Sequence, residues 1–168
     1  VYKRQDLKQM RVLNRIVEWT DTGIRYEADQ RHAEIIVKTN VKGEIFECKE
    51  GLSFWGGVDP NTGCIIDIHH PNHGNFLSKK FILMPTSRGS CSGSGVLLQL
   101  AQNGLAPAAL IFHETEEILT LGAIVADQLF DKKVAILKEY NTDSLRMLLK
   151  AAFDPKIEWV FPEGEVPY

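Results

Sequence analysis

The sequence predicts an α/β fold with a βαβ core and parallel strand pairing. Three observations carry this. Compact apolar runs of strand length recur at Lys80–Met84, Ala108–Phe112 and Val134–Leu137. Helix-length amphipathic stretches, Ser94–Asn103 and Glu117–Phe130, separate them. The first strand-to-helix junction is a dense serine–glycine loop. Strands that alternate with helices of this length build parallel sheets, because a parallel pair needs a crossover.

Taken in order, the chain opens on a polar, amphipathic stretch. Leu7, Met10, Leu13, Ile16 and Val17 recur at helical spacing and predict a helix, ended by Asp21-Thr22-Gly23. Ala33 to Val37 reads as a short helical or extended piece. From Lys42 the texture changes to short β-type runs between glycine turns. Ile45-Phe46 and Ile65-Ile66 read as strands, with a turn at Asn61-Thr62-Gly63. Lys80–Met84 is a buried strand that stops at Pro85. Ser94–Asn103 is a helix closed by Gly104. Ala108–Phe112, Glu117–Phe130 and Val134–Leu137 follow as strand, helix and strand, then a helix over 142–153 and a last strand over 157–161. There is no internal repeat and no low-complexity linker.

Bulk properties narrow the function classes. At 168 residues the chain suits one domain with a proper core, and 44% hydrophobic with 24% charged residues is ordinary for a soluble globular protein. A net charge of -3 gives no electrostatic reason to expect a nucleic-acid partner. Lys3, Arg4, Lys8, Arg11 and Arg15 gather near the N-terminus, but Asp6, Glu18 and Asp21 dilute them into a solvated face. Cys48, Cys64 and Cys91 form an odd set without CxxC spacing, against a disulfide framework or a self-contained zinc or iron–sulfur site. No apolar run spans a bilayer and no signal-peptide pattern is present, so no membrane partner and a cytoplasmic location are expected.

The chemistry concentrates in Ser87-Arg88-Gly89-Ser90-Cys91-Ser92-Gly93-Ser94-Gly95. Small residues let backbone N–H groups converge on a carboxylate or phosphate, and the following helix N-terminus adds partial positive charge. Such a nest also stabilises a serine alkoxide as a base. Arg88 supplies a bidentate carboxylate partner. The plainer reading is a connector whose Ser92 or Ser94 caps the helix. No Walker lysine and no GxGxxG are present. Gly89-Ser90-Cys91-Ser92-Gly93 also has the G-x-C-x-G form of a nucleophile elbow. That would make Cys91 the nucleophile of a hydrolase, with His113 a poor match for its base. The residues alone therefore leave Ser90 and Cys91 both open, beside a non-catalytic carboxylate- or phosphate-binding module.

Around the loop, Asp67-Ile68-His69-His70-Pro71-Asn72-His73 invites a metal reading. Adjacent His69 and His70 point apart on an extended chain, however, and Pro71 forces a turn. A hydrogen-bonded loop lining a cleft is the reading adopted, with no metal assigned. Leu52 to Pro60 sets Phe54 and Trp55 beside a glycine pair as a packed turn, able to wall a pocket if it faces the serine loop. Glu114, Glu116 and Glu117 read as capping for the helix they precede. Cys48 and Cys64 read as buried fillers.

Together, LSFWGGVDPNTGCIIDIHHPNHG, MPTSRGSCSGSGVLLQL, GLAPAALIF and ILTLGAIVADQLF resemble the small, swivelling domain of the aconitase X family, in register from Lys42 to Leu137. The resemblance implies a swivelling β/β/α domain over residues 41–168 and a hydro-lyase activity. In aconitase, which the family resembles, a serine removes the proton while an iron–sulfur cluster draws off the hydroxyl. Aligning the loop on the pattern G-S-[SC]-S places that base on Ser90. Arg88, Gly89, Cys91, Ser92 and Gly93 then bind the substrate carboxylate or phosphate. The cluster or iron is implied on a large catalytic subunit or domain, with none on this chain. The implied substrates are small hydroxy acids: cis-3-hydroxy-L-proline, favoured by the wording PTSRGSCSGSG with Thr86 and Cys91, and mevalonate 5-phosphate. Residues 1–40 lie outside this resemblance. Val12 to Arg15 and Tyr26 to Ile35 instead resemble retrotransposon polyprotein, and Val1 to Gln5 looks like an assembly remnant, which implies a chimaeric extension.

Overall fold

The computed structural model describes residues 9–12, 15–20, 23–27, 33–37, 39, 41–139 and 156–160, with side chains for 34–37, 39 and 43–139. The described strands are β1 (Gln9–Val12), β2 (Arg15–Thr20), β3 (Gly23–Glu27), β4 (Ala33–Val37), β5 (Val41–Glu47), β6 (Phe81–Met84), β7 (Ala109–Phe112), β8 (Ala135–Glu139) and β9 (Lys156–Val160). The described helices are α1 (Gly93–Gln102) and α2 (Ile118–Phe130). The strands form one mixed sheet in the order β1-β2-β3-β9-β5-β6-β7-β8-β4.

Its heart is the expected double βαβ unit. β6 pairs parallel with β7 and β7 with β8, while α1 and α2 make the two crossovers. β5 extends the parallel set beyond β6, and β4 closes the other edge antiparallel to β8. Every residue of β6 and β7 is buried, as apolar strands covered on both faces must be. Ile82, Met84, Leu110, Phe112 and Ile136 alternate onto the face that packs Val96, Leu97 and Leu100 of α1 and Leu119 and Ala123 of α2. α1 ends as its sequence signals: Gly104 takes φ 72, and the Leu105 amide donates back to the Leu100 carbonyl at 2.9 Å.

The helices approach tightly where Gly122 of α2 meets Ser94 of α1. A Cβ at Gly122 would stand 2.7 Å from the Ser94 carbonyl oxygen and 3.1 Å from its Cα. Helix propensity alone favours alanine over glycine by about 1 kcal/mol. Backbone overpacking costs about 1–3 kcal/mol and reverses that sign. Gly122→Ala is therefore expected to lower the urea midpoint, and a raised midpoint would show that the two helices part freely.

Two expectations are corrected. The predicted N-terminal helix is absent from Gln9–Val12 and Arg15–Thr20, which are the antiparallel strands β1 and β2. Ile16, Val17, Trp19 and Thr20 are β-branched or aromatic, and pairing with β1 through Arg11↔Ile16 and with β3 through Thr20↔Gly23 gives them a ladder that outweighs the 3.6-residue spacing. Ile65-Ile66 is not a ladder strand either. Ile65 makes an isolated bridge to Val58 and Cys64 one to Phe76, because turns at 59–63 and 70–74 cut the pairing short. The predicted helix over 142–153 lies outside the described residues. The final strand is present as β9, and no described helix is long and apolar enough to cross a membrane.

Candidate active site

The site is built where β6 runs out. After Pro85 the chain passes along the segment Glu50–Phe54 before turning into α1. Ser87 bridges Leu52 in parallel, and the Arg88 amide donates to the Leu52 carbonyl at 3.2 Å. Gly89 follows at φ 88, where a Cβ would also run into the Ser53 side chain, so glycine is required twice over. The Leu52–Trp55 segment, read from sequence only as a packed turn, thus faces the serine loop. Phe54 is buried beneath it and Trp55 is exposed at its rim.

Beyond Gly89 the loop closes on itself. Ser90 Oγ accepts the Ser92 amide at 3.1 Å, and the Ser90 carbonyl accepts the Gly93 amide at 3.0 Å. Ser94 donates through both its amide and Oγ to the Cys91 carbonyl, at 3.2 and 2.9 Å. Neither Ser92 nor Ser94 caps α1 with its side chain, so the connector reading loses its capping role. Ser90, Cys91 and Ser92 are exposed, and the amides of Gly89, Ser90 and Cys91 donate to none of the described residues.

A buried carboxylate anchors the loop from below. Glu116 Oε1 accepts Ser87 Oγ at 2.6 Å and the Leu119 amide at 2.8 Å; Oε2 accepts the Thr120 amide at 2.9 Å and Thr120 Oγ1 at 3.0 Å. The expected capping role therefore falls to Glu116, which also ties the start of α2 to the serine loop.

Arg88 is exposed but not loose. Its Nε–H donates to the Gly51 carbonyl at 2.9 Å, and Nη2 lies 3.6 Å from Glu50 Oε2. Sequence reasoning missed Glu50 and Gly51, because nothing local marks them as partners of an arginine 37 residues away. In the histidine segment, His70 is buried and bonded at both ring nitrogens, while His69 and His73 are exposed. Among the described residues no group of three or more His, Cys, Asp or Glu side chains is placed to hold a metal. None of the described hydrogen bonds joins Cys91 to a histidine.

The cysteines differ sharply. Cys48 is buried, and its thiol is pushed up to about 12 by desolvation and then by the Glu47 charge. Cys91 is exposed. Expected at pH 8 is rapid alkylation of Cys91 and none of Cys48 until the chain is unfolded. The raised value also means that Cys48 favours the native state fully below pH 9.0, and that this contribution is lost as pH rises through 9.0 towards 12. An unfolding midpoint measured from pH 8 to 11 should fall over that window, and Cys48→Ala should flatten the fall.

A family model described as the aconitase X swivel domain matches residues 30–154, beginning ahead of β4. The chain is 46% identical over 112 residues to a cis-3-hydroxy-L-proline dehydratase of Hypocrea jecorina, covering 67% of this chain and 19% of that protein. It therefore spans about a fifth of that relative's length. Against a phosphomevalonate dehydratase small subunit of Pyrococcus abyssi it is 38% identical over 119 residues, covering 71% of this chain and 87% of the subunit. The crystal structure of Thermococcus kodakaraensis aconitase X in its holo-form superposes with a TM-score of 0.58 at 34% identity, over 64% of this chain and 77% of that one.

Proposed function

Because the chain belongs to the aconitase X swivel-domain family, we propose that it is the small half of an aconitase-like hydro-lyase, with Ser90 as the base. The observation that carries this is the exposed loop Arg88–Ser92, in which the Ser90 hydroxyl already accepts a backbone N–H and three further amides spend no bond on the described residues. A serine hydroxyl is a strong base only where its alkoxide is stabilised. The Ser92 amide and the start of α1 supply that stabilisation.

In the elimination, the substrate C–H proton passes to Ser90 Oγ. The C–H electron pair closes the new C=C bond as the C–O pair leaves with the hydroxyl; the departing hydroxide takes a proton from solvent to become water, and Ser90 then returns the abstracted proton to solvent, which resets its alkoxide. Arg88 and the amides of Gly89 and Cys91 hold the substrate's carboxylate or phosphate; Ser92 and Gly93 keep the Ser90 turn closed beside it. The described residues do not fit a cluster ligand set, since Cys48 is buried and protonated and no group of three or more His, Cys, Asp or Glu side chains converges among them. We place the iron–sulfur cluster or iron on a large partner subunit or domain, as membership of the aconitase X family implies.

The favoured substrate is cis-3-hydroxy-L-proline, with mevalonate 5-phosphate second, on the wording of the loop PTSRGSCSGSG with Thr86 and Cys91. The working domain is 41–168 together with β4, with the residues before it as an extension. A cytoplasmic setting suits the free thiols. The test is reconstitution with a cluster-bearing large partner and an assay of water elimination on both substrates. Turnover is expected only from the pair; turnover by this chain alone, or none from the assembled pair, would sink the reading.

A further inference from the structure

The histidine segment is left unused by that function, yet one of its members is deeply buried. His70 is 3% exposed, and its two ring nitrogens have opposite tasks. Nδ1 accepts the Asn72 amide at 3.1 Å, so it carries no proton. The proton therefore sits on Nε2, which faces the Glu50 carbonyl at 3.3 Å and donates to it. That bond orients the Glu50–Gly51 peptide. On the far side of the same turn, the Gly51 carbonyl takes Arg88 Nε–H and the Glu50 carboxylate faces Nη2. The packing is close: a Cβ on Gly51 would stand 2.9 Å from both Arg88 Cγ and the Thr86 carbonyl oxygen.

We propose that His70 is a positioning residue for Arg88, acting through the Glu50–Gly51 turn to fix where the guanidinium meets the substrate anion. The proposal rests on Arg88 as the substrate's anion partner. A bidentate arginine works only when its planar fork is held in orientation, and an exposed arginine without such a hold loses that advantage to side-chain entropy.

The experiment is NMR on the full 15N-labelled chain. Expected in the unsubstituted protein are a His70 ring protonated at Nε2 alone and a slowly exchanging Arg88 Nε–H. His70→Phe fills the same slot without either hydrogen bond. It should speed Arg88 Nε–H exchange about tenfold, the scale of one lost hydrogen bond, while the amides of β6 to β8 stay protected. His70→Gln both donates and accepts, and should restore slow exchange. A proton on Nδ1 of the unsubstituted protein, or unchanged Arg88 exchange in folded His70→Phe, overturns the proposal. If His70→Phe does not fold, the ring tautomer decides alone. With the large partner supplied, His70→Phe should raise KM about tenfold and leave kcat unchanged, as loss of uniform binding does. Faster Arg88 exchange without a KM effect would keep His70 in its positioning role and remove Arg88 from substrate binding, so the two readings fail separately.

Discussion

Ser90→Ala is expected to cut dehydration by the reconstituted pair about a thousandfold, the middle of the range for loss of a general base. The substitution separates chemistry from folding unusually well. Ser90 is exposed, and its hydroxyl makes one described bond, to the Ser92 amide. Its removal should move stability by less than about 0.5 kcal/mol, as surface changes do. The loss should therefore appear in kcat, with the urea midpoint and partner binding unchanged. Retained dehydration by Ser90→Ala would remove the serine from the mechanism. Cys91→Ser provides the contrast, because it keeps the amide and deletes the thiol. A Cys91 nucleophile predicts that this second variant is the dead one.

How far such a site can be read from sequence depends on whether its determinants are local. The βαβ core was legible because Phe81–Met84 and Ala109–Phe112 are fully buried and therefore continuously apolar, and because α1 carries its own stop at Gly104. The serine loop was legible as an exposed strand-to-helix connection for the same reason. What holds that loop was not. The His70–Glu50 bond joins residues 20 apart, the Ser87–Glu116 bond 29 apart and the Arg88–Gly51 bond 37 apart. No periodicity or spacing rule reaches across such distances. The N-terminal strands failed for the opposite reason. There the local signal was clear but wrong, since Leu7, Met10, Leu13, Ile16 and Val17 keep helical spacing while the β-branched residues among them find a partner strand.

Glu116→Ala should be the most destabilising single change at the site, at about 2–4 kcal/mol. The carboxylate is 7% exposed and accepts four hydrogen bonds, two of them from the first-turn amides of Leu119 and Thr120. Leu119 is fully buried, so water cannot replace the lost acceptor at its amide. Glu116→Gln should fall between, because it keeps one acceptor oxygen but turns an N–H₂ towards groups that also donate. Stability is only part of the expected effect. Ser87 Oγ loses its 2.6 Å partner, and Ser87 is three residues before Ser90, the proposed base. With Ser90 as the proposed base, activity of the folded Glu116→Ala pair should drop about tenfold or more, since small displacements of such a group are costly. A double-mutant cycle with Ser87→Ala decides whether that link is direct. Coupling of about 1–2 kcal/mol is expected for a charge-assisted bond in a buried setting. Strict additivity would mean that the Leu52–Ser87 bridge alone sets the loop, and that Glu116 serves only the helix it caps.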